Sequence, residues 1–444
     1  MHWALQQLQH FVNKTACHEA SGSWTYQQVV DRINELSSTL KAAGISAYST
    51  VSIETAQSVE CLIALLACQQ QQLVAVPLSY ELNASDRQKA REIASAQWQI
   101  GHSFQISKLY EPGAQTPLID NLRTRKHAGL ILFSSGTSGE PKAMLHDFDA
   151  LLERYRDVNP RQDRSLLLMH LDHIGGIDAA LRTLLAGSTL IIPRARTPEQ
   201  AAYAIEQHQV NILPTTPTFL NLLLLAQQSH PRDLSSIEII AYGAEAMSPT
   251  LLNRLVNHFP KADLQQKFGT SETGAIRIQS TNTDSLFFRI KDRDTEWKVN
   301  EGELWLKTPS RILGYLNADG SALEAGGWYR TGDLVEQSND GSLRITGRAS
   351  DLINVGGEKV TPGEVETAVL QLPEIEACTA IGEPNAITGQ SVAVKIVTSP
   401  DTDRTELKRR IKKHCRSTLS AYKVPTKIYF NEQIELSARH KKQN

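Results

Sequence analysis

A short segment rich in serine, threonine and glycine carries the clearest chemical signal in the sequence. It follows the apolar run Leu130–Phe133 and consists of Ser134, Ser135, Gly136, Thr137, Ser138 and Gly139, after which come Glu140, Pro141 and Lys142. Glycine and small hydroxyl residues allow several backbone N–H groups to turn toward one anion, and Lys142 adds a positive charge. This combination predicts a loop for the β- and γ-phosphates of ATP. No Gly-Lys-Ser or Gly-Lys-Thr ends it, so it is not the Walker pattern; the alternative is a flexible turn.

The loop also resembles the phosphate loop of the adenylate-forming superfamily, which includes acyl-CoA synthetases, nonribosomal-peptide adenylation domains and luciferases. Further segments similar to that family follow in the same order along nearly the whole chain. They are WTYQQVVDRINEL near the start, YGAEAMSP at 242–249, KFGTSETG at 267–274, GELWLKTPSRILGYL at 302–316, GGWYRTGDL at 326–334 and GRASDLINVGGEKVTPGEVE at 347–366. The ordered set is much more specific than any one of these motifs.

The resemblance implies that two carboxylates and an arginine contact the nucleotide. Glu272 is a hard carboxylate that suits Mg²⁺ between phosphates, with Thr137 as a second ligand; otherwise it is a strand-end glutamate facing water. Asp333 can accept hydrogen bonds from both ribose hydroxyls, or it is a turn aspartate that caps its own backbone. Arg348 carries a fork of donors for ribose or phosphate oxygens, or it forms a surface ion pair.

The adenine side is expected in two further segments of the resemblance. A purine could lie flat against the backbone of the first segment, with an aromatic ring of the second as a stacking wall. An ordinary tight turn after a buried strand is the alternative for the first segment. The residues concerned are Gly243, Ala244 and Glu245 in the first segment, and Phe268, Gly269 and Thr270 in the second.

The acyl side and the catalytic lysine also follow from the resemblance. His173, before Ile174 and a glycine pair, corresponds to a family histidine near the bound carboxylate. The alternative is a histidine whose hydrogen bonds are satisfied within the fold, or one that neighbours a helix cap. The expected carboxyl-terminal lysine is Lys441 or its neighbour Lys442, although the usual Gly-Lys pair is absent and a plain basic tail is the alternative. At the domain junction, Ser350 stands where the family usually has an acidic residue or lysine.

Composition limits the class of protein. The chain has 444 residues, which predicts about three folding units. There are 46 Lys and Arg against 48 Asp and Glu, so the net charge of −2 argues against a protein that mainly coats nucleic acid or an anionic membrane. The first residues show no secretory signal, and the apolar runs are too short to span a membrane. Five cysteines, odd in number and without a zinc-like pair, predict reduced thiols and a cytoplasmic location.

The pattern of elements predicts the fold that must position these motifs. Helical and strand patterns alternate over the first 270 residues, which favours a largely parallel sheet with helices on its faces. Glycine-punctuated short strands after residue 300 predict a small β-rich subdomain. The expected fold class is therefore α/β: an amino-terminal domain over 1–347, a hinge at 348–351 and a small mobile α+β carboxyl-terminal domain over 352–444.

The predicted function is ATP-dependent activation of a carboxylic acid to an acyl adenylate, followed by transfer to a thiol. Gly356 and Gly357 resemble the acyl-CoA synthetase form of the junction and would let a pantetheine arm pass close to backbone, so CoA is the favoured thiol. The alternatives are the phosphopantetheine of a carrier protein, and a catalytically weak acyl-nucleotide binding protein. Residues 401–444 hold twelve Lys or Arg against five Asp or Glu; this is a solvated face or a surface that attracts a phosphorylated cosubstrate.

Overall fold

The structure is a computed structural model, and it describes residues 2–110, 116–135, 140–282, 284–318, 320, 322–399 and 402–431. The predictions for Gly136, Thr137, Ser138, Gly139 and Lys441 lie outside the described residues, as does the side chain of Ser135. The described part of the chain contains twelve α-helices. They are α1 (Trp3–Gln9), α2 (Tyr26–Ala42), α3 (Val59–Gln70), α4 (Ala84–Ile93), α5 (Pro117–Arg125), α6 (Phe148–Glu153), α7 (Ile174–Leu185), α8 (Pro198–His208), α9 (Pro217–Ser229), α10 (Pro249–His258), α11 (Pro362–Val369) and α12 (Arg404–Thr418).

Fifteen strands precede residue 277 in the described chain. They are β1 (Thr15–Glu19), β2 (Gly22–Thr25), β3 (Thr50–Ile53), β4 (Val74–Pro77), β5 (Trp98–Ile100), β6 (Ile106–Lys108), β7 (Gly129–Ser135), β8 (Pro141–Asp147), β9 (Arg164–Leu166), β10 (Thr189–Ile191), β11 (Ile212–Thr215), β12 (Ile239–Tyr242), β13 (Asp263–Gln266), β14 (Phe268–Thr270) and β15 (Gly274–Ile276). The last two pair with each other, and the other thirteen contribute to two sheets.

Both large sheets are mixed, with a parallel centre. One has the order β13-β12-β11-β9-β10-β1-β2, in which only the β1–β2 edge is antiparallel. In the other, β4, β3 and β5 are parallel, whereas β7 and β8 form an antiparallel hairpin. Apolar residues of both sheets and of α2, α3 and α7 form one buried cluster. The predicted α/β architecture with helices against largely parallel strands is confirmed.

Helix α2 illustrates how local sequence sets an element. Thr25 accepts from the backbone N–H of Gln28 at 3.2 Å, while the Gln28 side chain accepts from the Thr25 N–H at 2.8 Å. This is the capping box that the spacing of Thr25 and Gln28 predicts, and it satisfies two donors that the first helical turn leaves unpaired. Val29, Ile33, Leu36 and Leu40 then follow at helical spacing, and all four are buried.

A β-rich subdomain follows the two sheets, as predicted. Its six strands form an antiparallel sheet in the order β16-β17-β22-β21-β19-β18 and cover their own small apolar cluster. A two-residue strand, β20, instead joins the edge of the β7–β8 sheet. The strands are β16 (Ile278–Ser280), β17 (Phe288–Ile290), β18 (Glu296–Asn300), β19 (Glu303–Lys307), β20 (Gly314–Tyr315), β21 (Tyr329–Gln337) and β22 (Leu343–Arg348).

The carboxyl-terminal part packs around a separate apolar cluster whose members all follow residue 352. It combines α11 and α12 with β23 (Ile353–Val355), β24 (Glu358–Val360), β25 (Ile375–Asn385), β26 (Gly389–Thr398) and β27 (Lys427–Phe430). A single 3₁₀ turn, Ala349–Asp351, joins it to β22. The position of this turn agrees with the predicted hinge, whose motion stays a prediction.

Local contacts account for two motifs in this part of the chain. The spacing of Thr361 and Glu364 predicts a capping box at the start of α11. Thr361 is the N-cap of α11, but it makes no side-chain capping bond, so this prediction is wrong. Glu364 instead accepts two 2.7 Å hydrogen bonds from the Lys423 ammonium. Gly356 and Gly357 form the tight turn between β23 and β24 with φ values of 63° and 93°. Two successive positive φ angles define a type I′ hairpin turn, so the turn itself favours this glycine pair.

Candidate active site

The β7–β8 hairpin positions the predicted phosphate loop. Ser134 and Lys142 face each other in register at the end of the hairpin, on either side of the loop. The pleat then places Lys142, Met144 and His146 on one face of β8. Strand β20 pairs with β8 so that Tyr315 lies opposite Met144. Lys142 and Tyr315 thereby become neighbours, with the ammonium 5.7 Å from the centre of the phenol ring, within cation–π range.

Glu272 lies beside the same tyrosine. The Tyr315 hydroxyl donates a hydrogen bond to Glu272 Oε1 at 3.1 Å. Burial, and next the charge of Glu272, raise the pKa of Tyr315 and that of Tyr329 well above the usual tyrosine range. Both phenols therefore stay protonated at neutral pH. The structure thus brings Lys142 and Glu272 together and adds Tyr315 and Tyr329, which the sequence analysis did not single out although both occur in the quoted motifs.

The backbone around Glu272 is held from two sides. The buried Thr270 hydroxyl accepts from the N–H groups of Glu272 and Thr273, at 3.2 and 3.1 Å. On the other side, the Ile312 N–H donates to the Glu272 carbonyl at 2.7 Å. Thr270 therefore stabilises the turn that carries Glu272, and its contact with the nucleotide stays a prediction.

Asp333 and Arg348 are register partners on the neighbouring strands β21 and β22. Arg348 Nε donates to Asp333 Oδ1 at 3.0 Å; the carboxylate is only 8% exposed and the arginine side chain 53%. The charge of Asp333 is the first cause of a raised Arg348 pKa, and Tyr329 and Glu272 add to it. The ion pair weighed as an alternative for Arg348 is therefore present, and it belongs to the same electrostatic cluster as Glu272.

The segment Gly243–Glu245 forms a tight turn after β12. A Cβ at Gly243 would lie 2.6 Å from the Lys267 carbonyl, so only glycine fits there. Ala244 is exposed and has a left-handed φ of 69°, which is costly for a residue with a Cβ. Glu245 accepts a 2.6 Å hydrogen bond from the Thr218 hydroxyl at the start of α9. The turn is thus held in a strained shape, with Ala244 exposed at its tip.

Phe268 and Gly269 pack inside the protein. Phe268 is 6% exposed and stacks on Phe288 with 5.9 Å between ring centres, within the core of the β-rich subdomain. A stacking wall for a purine would need this ring to leave that core, so the structure does not support the predicted role of the side chain. A Cβ at Gly269 would lie 2.4 Å from the Gly274 carbonyl, which explains this glycine by close strand pairing.

His173 is the N-cap of α7. Its Nδ1 accepts from the Gly175 N–H at 3.3 Å, which corresponds to the helix-cap alternative. A Cβ at Gly176 would lie 2.0 Å from the His170 carbonyl, so this glycine lets the chain turn tightly into the helix. A role of His173 near a substrate carboxylate stays a prediction.

A buried histidine behind the site escaped the sequence analysis. His146 is 1% exposed, and burial lowers its pKa to about 4, so the ring is neutral. His146 lies within the run Ala143–Asp147, which in the sequence is typical of a buried strand. Only the strand pairing reveals that it shares a face with Lys142.

The donor set around Glu272 fits a magnesium ion carried by a nucleotide. Among the described residues, no three His, Cys, Asp or Glu side chains form a group that could hold a metal alone. Mg²⁺ at nucleotide sites is held by one or two carboxylates together with substrate phosphates, and half-buried Glu272 can supply such an oxygen.

None of the described helices combines the length and the apolar character needed to cross a membrane.

Comparisons with known proteins find relatives that span nearly the whole chain. The chain is 25% identical to the 2-succinylbenzoate–CoA ligase of Bacillus subtilis (strain 168), over 99% of this chain and 96% of the relative. It is 24% identical to the feruloyl-CoA synthase of an Amycolatopsis species, over 97% and 95% of the two chains.

Two solved structures share the fold. An anthranilate CoA ligase in complex with anthranoyl-AMP matches with a TM-score of 0.85 at 22% identity, over 99% of this chain and 95% of the other. The o-succinylbenzoate coenzyme A synthetase of Bacillus subtilis, in complex with ATP and magnesium ion, matches with a TM-score of 0.75 at 21% identity, over 99% and 97%. The predicted fold class, a large α/β domain with a small carboxyl-terminal domain, is confirmed.

Family models give the assignment. The model of the AMP-binding enzyme matches residues 5–316, and that of the AMP-binding enzyme C-terminal domain matches residues 364–441. The relatives are CoA ligases, in agreement with the prediction of an AMP-forming acid–thiol ligase. The chain belongs to the AMP-binding enzyme family.

Proposed function

We propose that this enzyme activates a carboxylic acid with ATP and transfers the acyl group to the thiol of CoA. The observation that carries the proposal is the convergence of Lys142, Glu272 and Tyr315 at the mouth of the Ser134–Lys142 loop. These groups come from three distant parts of the sequence. Together they provide a cation, a carboxylate for a nucleotide-bound cation and a protonated phenol, next to a loop of anion-binding composition.

In the first half-reaction, a carboxylate oxygen attacks the α-phosphorus and the bond to the bridging oxygen breaks, so that pyrophosphate leaves with its electron pair. Lys142 and the loop donors would stabilise the charge that develops on the leaving group. Mg²⁺, when bound, would neutralise further phosphate charge, held by Glu272 and by Thr137 of the loop. The buried Asp333 carboxylate would hold the ribose hydroxyls, with Arg348 beside it, and so fix the α-phosphorus against the acid.

In the second half-reaction, the thiol sulfur attacks the acyl carbon, the carbon–oxygen bond to AMP breaks, and the thiol proton is released to solvent. CoA as the acceptor is supported by the relatives, which carry that thiol in their names. The β23–β24 turn adds support, because a side-chain-free tip can approach a pantetheine arm closely. Lys441 stays the proposed catalytic lysine of the first step.

The acid is expected to carry an aromatic ring. Relatives named for 2-succinylbenzoate, ferulate and indoleacetate all act on such acids, and the structural neighbour named for anthranilate has one too. We would therefore measure ATP–pyrophosphate exchange with these four acids, beside short and long aliphatic acids as controls. Exchange with an aromatic acid supports the proposal, and exchange with aliphatic acids only would overturn the substrate class.

The thiol is tested separately. Once an acid that drives exchange is found, thioester formation is measured with CoA and with a phosphopantetheinylated carrier protein under the same conditions. CoA turnover supports the proposal, whereas turnover of the carrier alone contradicts it. A protein that binds acyl-AMP but exchanges no pyrophosphate with any acid would be a binding protein.

A further inference from the structure

His146 is a buried polar side chain whose hydrogen bonds are missing. It lies opposite Leu130 in the β7–β8 ladder and is 1% exposed. Among the described residues, neither ring nitrogen has a partner at hydrogen-bonding geometry. Buried polar groups in folded proteins are nearly always paired, so an orphan at this depth needs a physical explanation.

The nearest explanation lies in the turn that carries Glu272. The backbone of Ser271, the preceding residue, partly opposes the effect of burial on the His146 pKa, as expected of a carbonyl oxygen that faces a ring N–H. The 312–313 segment links the two regions as well. The Ile312 N–H donates to the Glu272 carbonyl, and the Leu313 N–H donates to the carbonyl of Leu145, each at 2.7 Å.

This arrangement places His146 beside the Ser271–Glu272 turn. Thr270 already holds the N–H groups of the turn, and Ile312 holds the Glu272 carbonyl. The carbonyl of Ser271 is the group that remains for His146. A neutral imidazole carries one N–H donor, which is the chemistry that a carbonyl requires.

We propose that His146 is a positioning residue, whose ring N–H binds the Ser271 carbonyl in the ATP-bound enzyme. The hydrogen bond then fixes the direction of the Glu272 carboxylate. Hydrogen bonds around catalytic groups commonly tighten when substrate is bound. This inference rests on the proposed function, because it assigns His146 to the ATP site of that reaction.

The test compares His146→Leu with two amide variants. Leucine fills a similar volume without a donor, whereas His146→Asn and His146→Gln bring an amide N–H near the positions of Nδ1 and Nε2. ATP binding is measured by calorimetry at saturating Mg²⁺, with adenosine as the phosphate-free probe. We expect His146→Leu to weaken ATP binding roughly five- to tenfold, as for one lost hydrogen bond, and to leave adenosine binding unchanged. At least one amide variant should restore ATP binding.

Met144→Leu is the matched control, because Met144 is fully buried on the same face of β8. It should bind both probes as the unmodified protein does. The inference is overturned if His146→Leu binds ATP normally, if both probes weaken equally, or if neither amide variant restores binding. Failure of the unmodified protein to bind ATP would instead refute the proposed function itself, and the role of His146 with it.

Discussion

Removal of one hydroxyl tests whether Tyr315 orients the Glu272 carboxylate. Tyr315→Phe keeps the ring that faces Lys142, 5.7 Å from its ammonium, and removes the donor of the 3.1 Å hydrogen bond to Glu272. Outer-sphere partners of metal-binding carboxylates typically contribute about 10- to 100-fold in metal affinity or activity. Because Tyr315 is only half-buried and Tyr329 also lies near Glu272, we expect the lower end, about tenfold in kcat/KM for ATP, or about 1.4 kcal/mol.

The assay is pyrophosphate exchange at a series of Mg²⁺ concentrations. Tyr315→Phe should need more Mg²⁺ for half-maximal rate, while its melting temperature stays close to that of the unmodified protein. Tyr203→Phe is the control, since Tyr203 is 43% exposed on α8 and far along the chain from the site. If Tyr315→Phe shows the unmodified kcat/KM and Mg²⁺ dependence, the hydroxyl does not position Glu272 for catalysis.

Three further changes address the loop, the carboxylate and the domain junction. Lys142→Ala should lower kcat/KM for ATP by roughly tenfold or more, because a charge-assisted contact is lost. The circular dichroism spectrum should be unchanged. Normal ATP kinetics in this variant would show that Lys142 is not part of the site. Glu272→Gln should raise the Mg²⁺ concentration required for exchange, and wild-type dependence would assign the ion to another carboxylate. Ser350→Pro should slow one half-reaction more than the other in single-turnover assays, because a proline disfavours the helical backbone of Ala349 in the present turn. Equal slowing of both half-reactions would contradict domain alternation. So would the same effect in the control variant Ser350→Ala.

Motif order predicted the layout of the site better than it predicted individual contacts. Lys142 and Glu272 were assigned to one site from residue type and resemblance, and the structure brings them to the same tyrosine. Asp333 and Arg348 were assigned separate contacts, yet they pair directly across two strands. Such pairing depends on strand register, which sequence spacing does not reveal.

The missed residues share a physical cause. Tyr315 and Tyr329 stand among other aromatic and aliphatic residues in their motifs, so residue type alone does not distinguish them. Which ring lies near Glu272 depends on how the strands pair in the folded protein. Phe268 was predicted as a wall of the nucleotide site, but the apolar cluster of the β-rich subdomain buries it. At the start of α11, Thr361 and Glu364 have the spacing of a capping box. The Glu364 carboxylate instead accepts hydrogen bonds from the Lys423 ammonium, and the capping box does not form.

The separate apolar cluster of the carboxyl-terminal part affects how stability can be measured. All six tryptophans of the chain lie at or before Trp328, whereas that cluster begins at Ile353. Intrinsic tryptophan fluorescence therefore reports the unfolding of the amino-terminal cores and does not report the unfolding of the carboxyl-terminal part. Where two units do not unfold as one, a single transition temperature is not a property of the whole protein. Variants in α11, α12 or β23–β27 accordingly need calorimetry or far-ultraviolet dichroism, because their effects would be silent in the indole signal.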